Sequence, residues 1–191
     1  LGELGAGVIQ GRYSATGYFV KKLVNWESTF TQSSQRKVYP WPEIRLADLY
    51  LMYAEALNEW KNVPDDDVYF YIDEVRKRAG LKGVVESWKN YSTNPSKPTT
   101  KDGMREIIQR ERCIELAFEG HRFWDLRRWK TANNELNQPI EGWDISQKEP
   151  RAYYQKRTLY MQKFIAPRDY LWPIPEKDLR VNTDLVQNPG W

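Results

Sequence analysis

Between residues 42 and 134 the apolar positions recur with a helical period, while the flanking stretches, 1–41 and 135–191, sustain none. Over residues 42–60, Leu46, Leu49, Tyr50, Tyr53, Leu57 and Trp60 form one face of a helix, and Ile44, Ala47, Leu51 and Ala54 cover much of the other. Apolar surface on two sides calls for neighbours on two sides. A short connector, 61–64, follows. Asp65, Asp66 and Asp67 then suit the start of a second helix, as a cap and as charge complementing its dipole. Their spacing lacks the terminal Glu of a calcium loop. Val68, Tyr71, Ile72, Val75 and Ala79 make its stripe, and Gly80 ends it. Helix, four-residue link, helix is an αα-hairpin of tetratricopeptide type, with Ala54, Ala56 and Ala79 permitting close packing. A second hairpin spans 102–120 and 121–134, turning at Gly120.

The third helix of this series carries the most informative pattern. Met104, Ile107, Ile108, Ile114 and Phe118 share one apolar sector, and Glu111 and Glu115 fall inside it. Burying an unpaired carboxylate costs several kcal/mol or more, so partners are required. Arg112, Arg122, Arg127 and Arg128 lie nearby in sequence, and Arg45, Arg76 and Arg78 further off. The pattern predicts a buried ionic lattice joining several helices. On the first helix, Arg45 and Asp48 stand at i, i+3 and share a polar strip with Glu55. That strip either joins the lattice or forms a solvated edge.

The remaining segments read as irregular. Thr16-Gly17-Tyr18-Phe19-Val20 looks extended, 28–36 is a polar loop, and 82–101, with Trp88 and Tyr91, is a surface loop. After Asn134 comes a second long irregular stretch holding Trp143, Tyr153 and Tyr154, then a short strand within 158–165. Pro173-Ile174-Pro175 must be extended, 176–179 is one helical turn, and 187–191 reads as an ordered tail. The fold class is therefore mainly α, with αα-hairpins, long irregular loops and little β. We read one domain with three parts: 1–41 irregular, 42–134 two helical hairpins, and 135–191 irregular.

Composition narrows the function. With 40% hydrophobic residues the chain is globular, and its longest apolar run is too short to span a bilayer. A net charge of +3, with acids and bases interleaved, leaves no nucleic-acid footprint. One cysteine, Cys113, allows no internal disulfide and reads as a buried structural thiol. One histidine, His121, argues against metal sites and histidine-dependent triads and reads as a packing or capping residue beside Gly120. Nine tryptophans and twelve tyrosines exceed the needs of one core, so some are exposed. The chain starts at Leu1 without signal or lipid-attachment motif and reads as a mature piece or fragment.

Residues 43–57 (EIRLADLYLMYAEAL), 75–81 (VRKRAGL), 110–129 (RERCIELAFEGHRFWDLRRW) and 172–191 (WPIPEKDLRVNTDLVQNPGW) together resemble the C-terminal part of SusD/RagB outer-membrane nutrient-binding proteins. Residues 16–21 resemble the Thr-Gly-Tyr segment that precedes it. The resemblance implies a SusD-like superhelical scaffold of tetratricopeptide hairpins, with the irregular segments carrying the ligand face. It implies a non-enzymatic surface lipoprotein that captures glycans or other nutrients for a SusC-like TonB-dependent transporter. Its place would be the outer membrane, held through a lipid anchor that this chain does not carry. No cofactor, metal or nucleic acid is implied. The motif residues Arg45, Asp48, Glu55, Arg76, Glu111, Arg112, Glu115, Glu119, Arg122, Asp125 and Arg128 make sense as scaffold.

Sugars present C–H faces and hydroxyls, so a glycan site pairs exposed aromatic rings with polar planar groups. Loop aromatics supply the candidates: Trp26, Trp88, Tyr91 and Trp143, with Gln32, Asn90 and Asn94 near some of them. Two other readings compete. A glycoside hydrolase would use two carboxyls about 5–10 Å apart, with Glu111, Glu115 or Asp125 proposed. Arginine-rich surroundings favour ionised carboxylates and suit no general acid. A helical-repeat scaffold binding a protein partner, with no ligand site of its own, is the remaining alternative.

Overall fold

The computed structural model describes residues 14–25, 27, 28, 37 and 40–191. It is mainly helical, with one two-stranded sheet, and divides into two compact units. One is Asn25–Arg122; the other combines Leu1–Val24 with Phe123–Trp191.

The first unit is built on three helices, α1 (Leu46–Trp60), α2 (Asp66–Arg78) and α4 (Lys101–Glu115), with the shorter α3 (Val84–Tyr91) beside them. α1 starts later than its apolar pattern, and Pro42 lies ahead of the helix. Arg45 is the boundary residue, extended, with its side chain engaged on Glu119 instead of the helix. α2 is capped as its aspartates predict: the Asp65 carboxylate accepts the Val68 N–H at 3.4 Å. It closes at Gly80, where Leu81 N–H donates to Arg76 C=O and Gly80 N–H to Lys77 C=O.

The stretch 82–101 is not the loop that its polar composition predicts. It holds α3 and a 3₁₀ turn, Lys97–Thr99. The cap of α3 comes from another helix: the Asp73 carboxylate accepts the Val84 N–H at 2.7 Å, and Val84 is fully buried. A cap eleven residues away leaves no local signature.

Ala47, Leu51 and Ala54 of α1, Val68, Ile72 and Val75 of α2, and Met104, Ile107 and Ile108 of α4 form the core, with Val84. The opposite face of α1 is open: Leu46, Leu49, Met52 and Tyr53 are exposed, because α2 and α4 both pack on the Ala47, Leu51 and Ala54 side. Two members of the apolar sector of α4 are not buried. Ile114 is 62% and Phe118 71% exposed, and Leu116 takes the inner position. Ile114 lies at the sector's edge, and Phe118, at φ 64°, falls beyond the helix end. Cys113 is exposed, not buried, because it points away from the stripe.

Gly120, at φ 84°, turns the chain into α5 (His121–Arg128). The second hairpin's return segment, 121–134, is not continuous. Lys130 adopts φ 59°, Thr131 N–H closes on Leu126 C=O at 3.0 Å, and a short α6 (Ala132–Glu135) follows.

In the second unit, β1 (Pro139–Trp143) pairs antiparallel with β2 (Lys156–Met161), with Trp143 opposite Lys156 and a register shift after Ile140. The strand sits earlier than 158–165 because Phe164 turns into a small core with Leu126 and Ala132. Asn137 holds that turn, its side-chain amide bonding both Phe164 N–H (2.9 Å) and C=O (3.0 Å). A helical turn, α7 (Pro150–Tyr153), precedes β2, and α8 (Glu176–Val181) follows it. Residues 173–175 are extended, and the Gln187 amide satisfies both the N–H (2.9 Å) and the C=O (3.0 Å) of Ile174.

Candidate functional site

Trp143, expected in an irregular stretch, stands instead at the end of β1, and two glycines bring a second segment against it. Gly142 is buried; a Cβ there would stand 2.7 Å from Thr16 Cα. Gly17 has φ 75°, and a Cβ on it would stand 2.9 Å from Trp143 Cδ1. Residues 15–17 therefore turn instead of running extended, and Trp143 N–H donates to Thr16 C=O at 2.9 Å. The turn delivers Tyr18 to the indole, with ring centroids 5.1 Å apart and planes tilted by 34°.

Just past α7, Tyr154 supplies the third ring. Tyr154 meets Trp143 edge-on at 5.5 Å and rests against Tyr153 at 5.1 Å. Tyr18 (52%) and Tyr154 (62%) are open to solvent on either side of a half-buried Trp143. Polar planar groups border these rings. The Asp144 carboxylate accepts the Ser146 hydroxyl at 2.5 Å and faces Arg157 Nη1 at 3.4 Å. The Ser146 bond holds Asp144 below the usual carboxylate range, helped by Gln147 and Arg157. The result is an aromatic face with an ionised carboxylate, a guanidinium and an amide at its edge. Such a surface stacks apolar ring faces and meets hydroxyls with hydrogen bonds. Tyr18 and Tyr154 were not among the sequence candidates. The adjacent Tyr153-Tyr154 pair was the available signal; for Tyr18 it was the Thr-Gly turn.

The other aromatic candidates separate. Trp26 lies outside the described residues, as does Gln32. Trp88 packs on the core of the first unit, with Lys97 Nζ 5.2 Å from its ring centroid. Tyr91, 76% exposed, flanks it in an open hollow with Ser87, Ser92 and Thr93. Asn94 accepts the Ser96 hydroxyl at 3.1 Å within its own turn.

The motif residues of the first unit converge on α4. Arg112 Nη1 reaches Asp48 Oδ1 at 2.9 Å, both groups buried. Asp48 thus pairs across helices and not with Arg45, its i, i+3 neighbour. Arg45 grips Glu119 with Nε and Nη2, each at 2.8 Å, and reaches Glu115 at 3.0 Å. The Glu119 bonds, more than Glu115, raise the Arg45 pKa above its ordinary value against the effect of burial. Arg78 Nη2 donates to Glu115 at 2.6 Å, and Arg76 binds Glu111 while its Nε donates to Lys82 C=O at 2.9 Å. Glu55 and Arg122 are half-buried. In the second unit Arg128 Nε meets the buried Asp125 at 2.8 Å. His121 is half-buried at the first position of α5. Among the described residues, no group of three or more His, Cys, Asp or Glu side chains is disposed to hold a metal ion.

A further hollow escaped the sequence reading. Arg127, Tyr160, Gln162, Lys163, Trp172 and Trp191 line a cleft of about 360 Å³ in the second unit. Its aromatic residues are spread over 160–191, and only the tail's hydrogen bonds bring them together. Trp191 Nε1–H donates to Arg168 C=O (3.0 Å) and Leu171 C=O (3.1 Å), and Asn188 Nδ2 to Trp172 C=O at 2.6 Å.

Comparison with known proteins gives a consistent result. The SusD family model matches residues 2–191. The chain is 34% identical over 149 residues to SusD-like protein P2 of Formosa agariphila, covering 78% of this chain and 25% of that protein. It is 33% identical over 159 residues to SusD-like protein P25 of the same organism, covering 83% of this chain and 24% of that one. The chain thus spans about a quarter of the length of these relatives. Among solved structures, it resembles a SusD-like protein from Bacteroides fragilis (TM-score 0.60, 27% identity, 80% of this chain and 28% of that one). It also resembles a SusD homolog from Bacteroides thetaiotaomicron (TM-score 0.51, 31% identity, 78% of this chain and 26% of that one).

Proposed function

The chain belongs to the SusD family, and from that premise we propose that it is part of a non-enzymatic carbohydrate-binding protein. Its place is the external face of an outer membrane, where it passes ligand to a SusC-like TonB-dependent transporter. The observation that carries the reading is the ring surface of Tyr18, Trp143 and Tyr154, bordered by Asp144 and Arg157. Rings held by backbone contacts lose little entropy on binding, so stacking a sugar face there is favourable.

The alternatives have less support. Hydrolysis needs two carboxyls at liberty to act. Glu111 and Glu115 are engaged by Arg76, Arg78 and Arg45, and Asp125 by Arg128. That arrangement favours binding without turnover. A scaffold without a ligand site leaves the exposed aromatic surface unused.

The test is calorimetric titration with a panel of oligosaccharides. Trp143→Ala is expected to weaken binding about tenfold or more, equivalent to about 1.4 kcal/mol. Trp88→Ala, at the packed candidate, is expected to stay within about twofold, or 0.4 kcal/mol. Release of reducing ends by the protein, abolished in Glu115→Gln, would overturn the non-enzymatic reading.

A further inference from the structure

The cleft of the second unit has a charge pattern that the Trp143 surface lacks. Arg127 and Lys163 both line it, and among the described residues neither has a carboxylate within 4.0 Å. The Arg127 guanidinium lies 3.5 Å from the Phe123 ring centroid and donates one N–H to Phe123 C=O at 3.3 Å. Stacking fixes the plane of the group. It leaves most of the five N–H donors of a guanidinium free for an anion approaching edge-on.

The cleft's own carboxylate does not fill that role. Asp169 accepts Arg168 Nε at 2.6 Å and Ile165 N–H at 2.7 Å. The Arg168 bond first, then the Ile165 N–H, keep it below the usual carboxylate range, with a smaller through-space attraction from Arg127, so it stays ionised while its hydrogen bonds go to Arg168 and Ile165. Beside the two cations stand exposed aromatic walls, Tyr160 and Trp172, with Trp191 fixed by its two hydrogen bonds and by Arg168, 4.7 Å from its ring. Gln162 adds a neutral amide.

From this juxtaposition, and resting on the carbohydrate-binding reading, we infer that the cleft takes an anionic sugar residue. Its ring face packs on Trp172 and Tyr160, and its carboxylate or sulfate meets Arg127 and Lys163. A bidentate guanidinium contact supplies orientation as well as attraction, and the aromatic wall selects a sugar over a bare ion.

The test titrates the 191-residue chain with tetragalacturonate, a sulfated carrageenan tetrasaccharide and neutral cellotetraose, each by calorimetry. One or both anionic probes are expected to bind about tenfold tighter than the neutral one, and whichever binds identifies the acid group. Raising salt from about 0.05 to 0.5 M is expected to erase that preference. Arg127→Gln and Lys163→Gln are each expected to lower anionic affinity about fivefold, with neutral binding within about twofold. Arg127→Lys, which keeps the charge and loses the fork, should fall between. Circular dichroism confirms that each variant is folded. Anionic probes that bind no tighter than cellotetraose, or that ignore Arg127→Gln and Lys163→Gln, overturn the inference and leave the carbohydrate reading standing. Inorganic sulfate binding as tightly as the sulfated sugar would also overturn it. No binding of any saccharide removes both.

Discussion

The two units differ in how often their cations rest on aromatic rings. In Asn25–Arg122 the guanidiniums of Arg45, Arg76, Arg78, Arg105 and Arg112 each meet a carboxylate. In the other unit Arg127 lies over Phe123, Arg128 over Trp129, Lys130 over Tyr170 and Arg168 over Trp191, with Arg128 and Arg168 also meeting Asp125 and Asp169. The contrast follows from what each surface borders. A carboxylate inside a helical core must be neutralised in place, so its arginine is spoken for. A cation on an aromatic ring with no carboxylate within 4.0 Å among the described residues, as Arg127 is, gains less but keeps most of its hydrogen-bond donors, which leaves capacity for something outside the chain. We read the ion pairs of the first unit as architecture, and propose the ring-rich surfaces of the second as the place for ligand.

The largest effect that sharpens this contrast is at the buried pair. Asp48→Ala removes a buried carboxylate partner of Arg112 and is expected to cost roughly 3–5 kcal/mol in urea unfolding. Pairing Asp48→Leu with Arg112→Met should bring stability back above either single change. A full loss retained in the double variant would break the account of that pair. Next, Gly142→Val forces a side chain against Thr16 and should cost about 1–3 kcal/mol by overpacking. It should also weaken saccharide binding, because the clash pushes the Tyr18 segment off Trp143. Unchanged binding in a folded Gly142→Val protein would detach Tyr18 from the site.

Smaller effects come from the exposed pairs. Arg105 bonds lower the Glu59 pKa in the folded state. The unfolded chain then binds more protons in the acid range, so this group adds stability above the ordinary glutamate value. That stability is lost as pH falls through the lowered folded value. Glu59→Gln should flatten the acid limb of a stability-against-pH curve below about pH 4.5, where the ordinary glutamate titrates. An unaltered acid limb would mean the pair contributes nothing. The smallest change is at the i, i+4 pair of α8: Arg180→Gln should cost no more than about 0.5 kcal/mol.

Much of the first unit was legible in the sequence. Asp65 caps α2, Gly80 and Gly120 turn with positive φ, and Glu111 and Glu115 stand beside arginines because an apolar stripe holding acids leaves few other outcomes. What escaped depends on residues distant in sequence. The helix at 84–91 is capped by Asp73, and Arg45 finds Glu119 from 74 positions away. Lys130 turns with a positive φ that composition assigns to glycine. The ring surface was half legible. Trp143 stood out as a loop aromatic, while Tyr18 and Tyr154 reach it only through the close approach at Gly17 and Gly142. The cleft was not legible at all, since its walls meet through side-chain bonds of Asn188 and Trp191.

One paired measurement tests the central claim most directly: saccharide affinity and unfolding free energy, determined together for Trp143→Ala and Glu111→Gln. The account predicts that Trp143→Ala loses about tenfold or more in affinity while remaining folded. It predicts that Glu111→Gln, which removes the carboxylate that pairs with Arg76, loses stability and keeps its affinity. The reverse pattern, with binding lost at Glu111 and untouched at Trp143, would contradict it.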